Sequence, residues 1–137
     1  SGPMPYVSDY ILEHKHIPEM MKHSGLTRRP VFVPSVGHFP QGMIVSVPLH
    51  LGDLSGSVRG ADLQALLEKR YEGCAVVRVA PPESALIAET LAGQDNLELR
   101  VHANDAHGQA VLTARLDNLG TGASGAAIQN IRLMLRL

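Results

Sequence analysis

Leu97-Glu98-Leu99-Arg100-Val101-His102 and Ala110-Val111-Leu112-Thr113-Ala114-Arg115-Leu116 stand on either side of Asn104-Asp105-Ala106-His107-Gly108. The two flanks read as strands and the Asn/Asp/Gly segment as the turn between them, so the stretch predicts an antiparallel hairpin. Working back toward the N-terminus, Ser84–Thr90 and Ala75–Val79 are further strand candidates. Ahead of them a helix is expected from about Ala61 to Glu72. Leu63, Leu66, Leu67 and Tyr71 share one face of it, Glu68, Lys69 and Arg70 lie on its flank, and Gly73 closes it. Gly52 to Gly60 has loop composition. Gly42–Leu51 and Pro30–Pro34 read as strands, and Pro48 argues for an edge position or a bulge. Tyr6 to Leu12 alternates as an extended segment would. Pro18 then suits the first position of a short helix, Glu19 to Ser24, with Gly25 as its left-handed stop. Toward the C-terminus, a glycine-rich loop leads into a last helix, about Ala123 to Leu135, apolar over most of its circumference. Strands outnumber helices and the links are hairpin-like. The expectation is an α+β fold, a mostly antiparallel (mixed) sheet with helices packed on one face.

Composition narrows the function classes. A chain of 137 residues has the size of one domain and no room for a nucleotide-binding domain beside a substrate domain. Trp is absent and aromatics make up 4%, so aliphatic side chains must fill the core. The apolar stretches are too short for a membrane span, and no basic-then-apolar start suggests a signal peptide. One Cys excludes an internal disulfide and fits a reducing, cytoplasmic setting. Net charge is −1 with no basic run beyond Arg28-Arg29, which points away from nucleic acid and anionic membrane. Ser1-Gly2-Pro3-Met4 reads as a tag remnant, leaving residues 5–137 as a single expected domain.

Seven His is the unusual figure, and the densest polar cluster holds three of them: Glu13-His14-Lys15-His16-Ile17-Pro18-Glu19, with His23 beyond. On an extended segment His14 and His16 project together, and on the following helix Glu19 and His23 share a face. Imidazoles titrate near neutrality and a carboxylate can fix their tautomer, so the group suits acid/base chemistry. It also suits metal ligation, although no familiar ligand spacing such as HExxH is present, or a plain exposed polar face. Gly120-Thr121-Gly122-Ala123-Ser124-Gly125 matches GxGxxG, but no second βα unit or acidic residue follows at the required distance. That leaves close helix packing or an anion-binding helix start. Cys74 has no cationic neighbour in sequence and reads as inert packing. Met20, Met21, Phe32 and Phe39 read as core or interface filler; His50, His102 and His107 read as surface residues, and His38 sits in a loop that can line a site.

Taken in order, several motifs resemble N-acetyl-gamma-glutamyl-phosphate reductase. They are Glu13-His14-Lys15-His16-Ile17-Pro18-Glu19, Phe32-Val33-Pro34 leading to Gln41-Gly42-Met43, Val76-Val77-Arg78-Val79, and Asp117-Asn118-Leu119-Gly120 with Gly122-Ala123-Ser124-Gly125-Ala126-Ala127-Ile128-Gln129-Asn130. The resemblance runs from about Ile11 to Leu137 and is to the second half of that family, in its short bacterial form. It implies an oxidoreductase of arginine biosynthesis that reduces an acyl phosphate to a semialdehyde with NADP as cofactor. The catalytic Cys and most of the NADP site would lie on an N-terminal Rossmann domain absent from this chain. The present part would supply substrate contacts and a homo-oligomer interface, in a dimer or tetramer, and would be inactive alone. The same resemblance implies His14 or His16 as the acid/base partner of the Cys, Glu19 as a substrate contact, and Asn118 facing the nicotinamide; no metal is implied. Thr121 departs from the family's usual Lys. A free-standing binding or oligomerisation module derived from that family is the alternative.

Overall fold

The computed structural model describes the backbone of residues 6–7 and all of residues 12–135. The chain divides into two compact units, Ser1–Pro40 and Gln41–Leu137.

In the first unit, strand β1 (Tyr6–Val7) pairs antiparallel with β2 (Ser35–Val36). Residues 8–11, the rest of the expected extended segment, lie outside the described residues. Helix α1 spans His16–Ser24, starting before the expected Glu19. Pro18 is tolerated inside its first turn because amides there have no intrahelical acceptor to lose. Gly25 ends the helix at φ 70°, its N–H donating to the Met21 carbonyl at 3.1 Å. Ile17 is fully buried and anchors α1. The strand expected at Pro30–Pro34 does not form. Its two prolines lack the N–H that a ladder needs, and pairing begins only at Ser35.

The second unit holds a four-stranded sheet in the order β3-β6-β5-β4. Its strands are β3 (Met43–His50), β4 (Val77–Val79), β5 (Leu97–Asn104) and β6 (Gln109–Leu116). β3–β6 and β6–β5 are antiparallel and β5–β4 parallel, so the sheet is mixed. The hairpin is as expected, with a 3-10 turn over Asp105–His107 and Gly108 left-handed at φ 61°. Pro48 lies on the edge strand, where its missing N–H is harmless. Ser84–Thr90 is not a strand. It runs as irregular chain into a short 3-10 helix, Ala88–Leu91, with the Ile87 carbonyl and Thr90 hydroxyl turned toward Arg115 rather than a neighbouring strand.

Helix α2 (Gly60–Arg70) packs on β5 and β4. The Asp62 carboxylate accepts from the Arg59 N–H at 2.8 Å, and Asp105 accepts from the Gly60 N–H at 2.9 Å, so two N-terminal amides are satisfied. Leu63, Leu67 and Tyr71 are half-buried, whereas Leu66 is exposed. The last helix, α3 (Gly125–Leu135), follows a π-helical turn over Gly120–Ser124 and leaves Ile131, Leu133 and Met134 exposed.

The strand register gives the sheet two unlike faces. Leu97, Leu99 and Val101 pair with Leu116, Ala114 and Leu112 on one face. On the other face Glu98 faces Arg115 and Arg100 faces Thr113, and all four are buried.

Candidate functional site

The first unit brings two of the expected site residues together, though not by the route the sequence suggests. His16 is helical, so the two imidazoles do not share a strand face. Instead the chain turns at Lys15. The His14 carbonyl accepts from the Ile17 N–H at 3.0 Å, and the His14 Nδ1 accepts from the His16 N–H at 3.2 Å. His14 therefore caps α1 twice, with its backbone and with its ring. An imidazole nitrogen that accepts carries no proton, so in this bond neutral His14 holds its proton on Nε2. The two rings meet edge-on at 4.7 Å between centroids, and Phe32 lies 4.9 Å from His14 on another side. His14 is half-buried and His16 exposed. Arg29 fixes the approach to this turn, bonding the Leu12 carbonyl at 2.6 Å and pairing with Glu13 at 3.2 Å. Glu19 and His23 stand one turn apart on α1, both exposed. Among the described residues no three His, Cys, Asp or Glu gather closely enough to hold a metal ion.

The second unit carries the other cluster, and its centre is a residue whose role the sequence reading missed. Asp117, 2% exposed, ties three segments together. Its Oδ1 accepts from the Leu119 N–H at 2.9 Å, and its Oδ2 from the Gly93 N–H at 2.7 Å and from the Gln41 amide at 3.0 Å. The N–H groups of Leu119 and Gly93 hold its carboxyl below the ordinary range against the opposing effect of burial, with Gly120 assisting. The bond to Leu119 is an Asx turn, and an Asp three residues before the glycine run was the available signal. Beside it, the Asn118 Oδ1 accepts from the Gly42 N–H at 2.7 Å. Gly42 has φ 114°, and a Cβ there would sit 2.5 Å from the Ala88 carbonyl oxygen, so this contact needs glycine.

The glycine run resolves in favour of packing. A Cβ on Gly125 would lie 2.2 Å from the Asp95 carboxylate, and one on Gly120 would lie 2.9 Å from the Gln94 carbonyl oxygen and 3.2 Å from Asp95. With carboxylates of Asp95 and Asp117 lying against this turn, it does not fit a phosphate or pyrophosphate. The Asn118 NH2 has no partner among the described residues, and an amide donor of that kind does fit a nicotinamide carboxamide.

Between β4, the start of β5 and the 88–91 turn lies an open cavity of about 520 Å³, lined by Cys74, Arg78, Thr90, Gln94, Asn96 and Glu98 among others. Cys74 is exposed rather than packed. The N–H groups of Val76 and then Val77 lower its thiol pKa against a desolvation effect, and the Arg70 charge adds to them. The expectation of packing fails because Cys74 is exposed, and the groups that lower its pKa are backbone donors, which side-chain identity does not reveal. Glu98 anchors the cavity floor. Its Oε2 accepts from Arg100 at 2.8 Å and from Arg115 at 2.5 and 3.0 Å, and its Oε1 pairs with Arg78. Arg100 also bonds the Pro81 carbonyl at 3.1 Å and pairs with Glu83. Burial acts to raise the Glu98 pKa, but bonds from Arg100, Arg115 and Arg78 overcome it and hold the group at about 2.

A hairpin-centred mixed sheet of this size, with α2 packed on it, defines a class, and residues 5–118 match the family described as semialdehyde dehydrogenase, dimerisation domain. The chain belongs to that family. Its curated relatives include proteins described as N-acetyl-gamma-glutamyl-phosphate reductase from Brucella ovis, Brucella canis and Brucella suis biovar 1. Each is 54% identical over 129 residues, covering 90% of this chain and 42% of the relative. The chain thus spans less than half the length of these relatives. Among the described residues no helix is long and apolar enough to cross a membrane.

Proposed function

We propose that this chain is the substrate-binding and oligomerising part of an NADPH-dependent reductase that converts N-acetyl-gamma-glutamyl phosphate to N-acetyl-glutamate semialdehyde. The observation that carries the reading is the 54% identity along 90% of the chain to proteins described as that reductase. The paired imidazoles at the start of α1 give it chemistry. One of His14 and His16 takes the proton from a Cys thiol on the nucleotide-binding part as the thiolate attacks the acyl carbon and phosphate leaves. Hydride addition to the resulting thioester gives an oxyanion that the same imidazole protonates, and it takes that proton back as the C–S bond breaks to release the aldehyde and the Cys thiolate. NADPH, bound mainly by the other part, supplies the hydride. Glu19 contacts the substrate and Asn118 faces the nicotinamide. The account predicts that the isolated chain turns over no acyl phosphate.

Assembly is the second half of the proposal. Val45 and Val47 on edge strand β3 are 43% and 47% exposed, and Leu133 and Met134 on α3 are 77% and 82% exposed. Surfaces of that kind favour a homodimer or homotetramer of the complete enzyme. The test of function is kinetic: in the complete polypeptide, His14→Ala and His16→Ala are made singly and together. Loss of 10²–10⁴-fold in kcat is expected from the variant that removes the acid/base group, by the usual contribution of such groups. Full rates in the double variant overturn the assignment.

A further inference from the structure

We infer that Arg29 is a positioning residue for the paired imidazoles, its guanidinium holding the strained turn at Leu12 from which His14 and α1 leave. This rests on the proposed reading that one of those imidazoles moves the proton, and it adds a group that places them without touching the reacting atoms.

Leu12 has φ 58°, and among the described residues it is the one non-glycine at positive φ. In that left-handed region the Cβ crowds the following carbonyl oxygen, so a leucine stays there only where its surroundings hold it. The holding group is Arg29. From one nitrogen, Nη2, it donates to the Leu12 carbonyl at 2.6 Å and pairs with the Glu13 carboxylate at 3.2 Å. Fixing the Leu12 carbonyl fixes the peptide that leads into Glu13 and His14. His14 in turn offers its carbonyl to the Ile17 N–H and its ring to the His16 N–H. A rotation at Leu12 therefore displaces the cap of α1 and both rings with it. Arg29 is well placed for the task. Gly25 turns the chain back at the end of α1, and Pro30 confines the Arg29 backbone to extended conformations. The bond to Leu12 thus closes across the whole of α1, between residues 17 apart. The carbonyl contact outweighs the ion pair. Arg29 and Glu13 are 47% and 70% exposed, and a pair that open to water contributes little. A charged donor on a carbonyl oxygen also brings the stronger kind of hydrogen bond.

The test uses the complete polypeptide carrying this chain, assayed with N-acetyl-gamma-glutamyl phosphate and NADPH and melted thermally. The variants are Arg29→Ala, Leu12→Gly, the two combined, and His14→Ala/His16→Ala. Arg29→Ala is expected to lower kcat about tenfold, because without the clamp a leucine leaves the left-handed conformation. Its KM for both substrates should stay within about twofold of wild type, and its Tm close to wild type. Glycine adopts that conformation without steric cost, so Leu12→Gly alone is expected to keep the wild-type kcat. Combined with Arg29→Ala it should bring kcat back to within about threefold of wild type. A wild-type kcat in Arg29→Ala overturns the inference. So does a loss that Leu12→Gly leaves unrepaired: Arg29 is then a substrate contact if KM rises, or a plain support of the fold if the Tm falls. If His14→Ala/His16→Ala turns over at full rate, the underlying reading fails and the inference falls with it. If that variant is impaired while Arg29→Ala is not, the inference alone is wrong.

Discussion

The two faces of the four-stranded sheet are built on opposite principles. One buries Val101, Ala110 and Leu116 under the ordinary hydrophobic drive, with α2 lying over its β5–β4 half. The other buries Glu98, Arg100, Arg115 and Thr113, where burial is tolerated only because every charge is met. Three guanidinium groups, those of Arg78, Arg100 and Arg115, converge on the one Glu98 carboxylate, while Glu83 and carbonyl groups of the 81–90 segment take the remaining N–H groups. The difference teaches what each face is for. The apolar face holds the strands and α2 together. The charged face holds an irregular segment in place, and with it the cavity and the turn that meets Gly42.

The largest effect expected is on the charged face. Glu98→Gln keeps the shape of the side chain but removes the carboxylate that two buried guanidinium groups share, leaving only Glu83 as counter-charge, and should cost about 3–5 kcal/mol in chemical denaturation. A loss below about 1 kcal/mol would erase the distinction between the faces. Next comes acid. Glu98 is held at about 2 against an ordinary value of 4.5. Its folded state thus stays ionised where the unfolded chain takes up a proton. The stability it contributes is complete above about pH 4.5 and is lost as pH falls toward 2, on the order of 3 kcal/mol. Thermal melts across that range should show the loss in wild type and a flatter profile in Glu98→Gln. On the apolar face, Leu116→Ala should cost about 2–4 kcal/mol with no such pH dependence, because only packing is removed. The smallest effect is expected at Leu66, 63% exposed on α2, where Leu66→Ala should change stability by less than about 0.5 kcal/mol unless another subunit covers it. A larger loss that depends on protein concentration would place Leu66 in the oligomer interface.

The same contrast explains what could be read from the amino acids. The hairpin, the edge position of β3 with its Pro48, the helix ending at Gly25 and the α+β class all follow from local periodicity and turn chemistry, and the structure bears them out. Ser84–Thr90 was misread because its carbonyl and hydroxyl groups are satisfied by Arg115, a partner 25 or more residues away that no local pattern reveals. The start of α1 moved for a similar reason, since the capping ring belongs to His14 and imidazole is not among the usual caps. The pairing of His14 with His16 was legible as proximity in sequence, but the geometry that joins them was not. Asp117 escaped notice because its importance lies in reaching Gln41 and Gly93, contacts made only after folding.

The central claim is that this chain works as part of an acyl-phosphate reductase through the imidazoles at the start of α1. Its most direct test is a steady-state assay of the complete polypeptide with N-acetyl-gamma-glutamyl phosphate and NADPH, following NADPH oxidation and phosphate release together. The account predicts equimolar phosphate and oxidised cofactor in the wild type, and a fall of at least about 10²-fold in the His14→Ala/His16→Ala double variant at unchanged NADP affinity. No turnover of that acyl phosphate by the wild type, or an undiminished rate in the double variant, would contradict it.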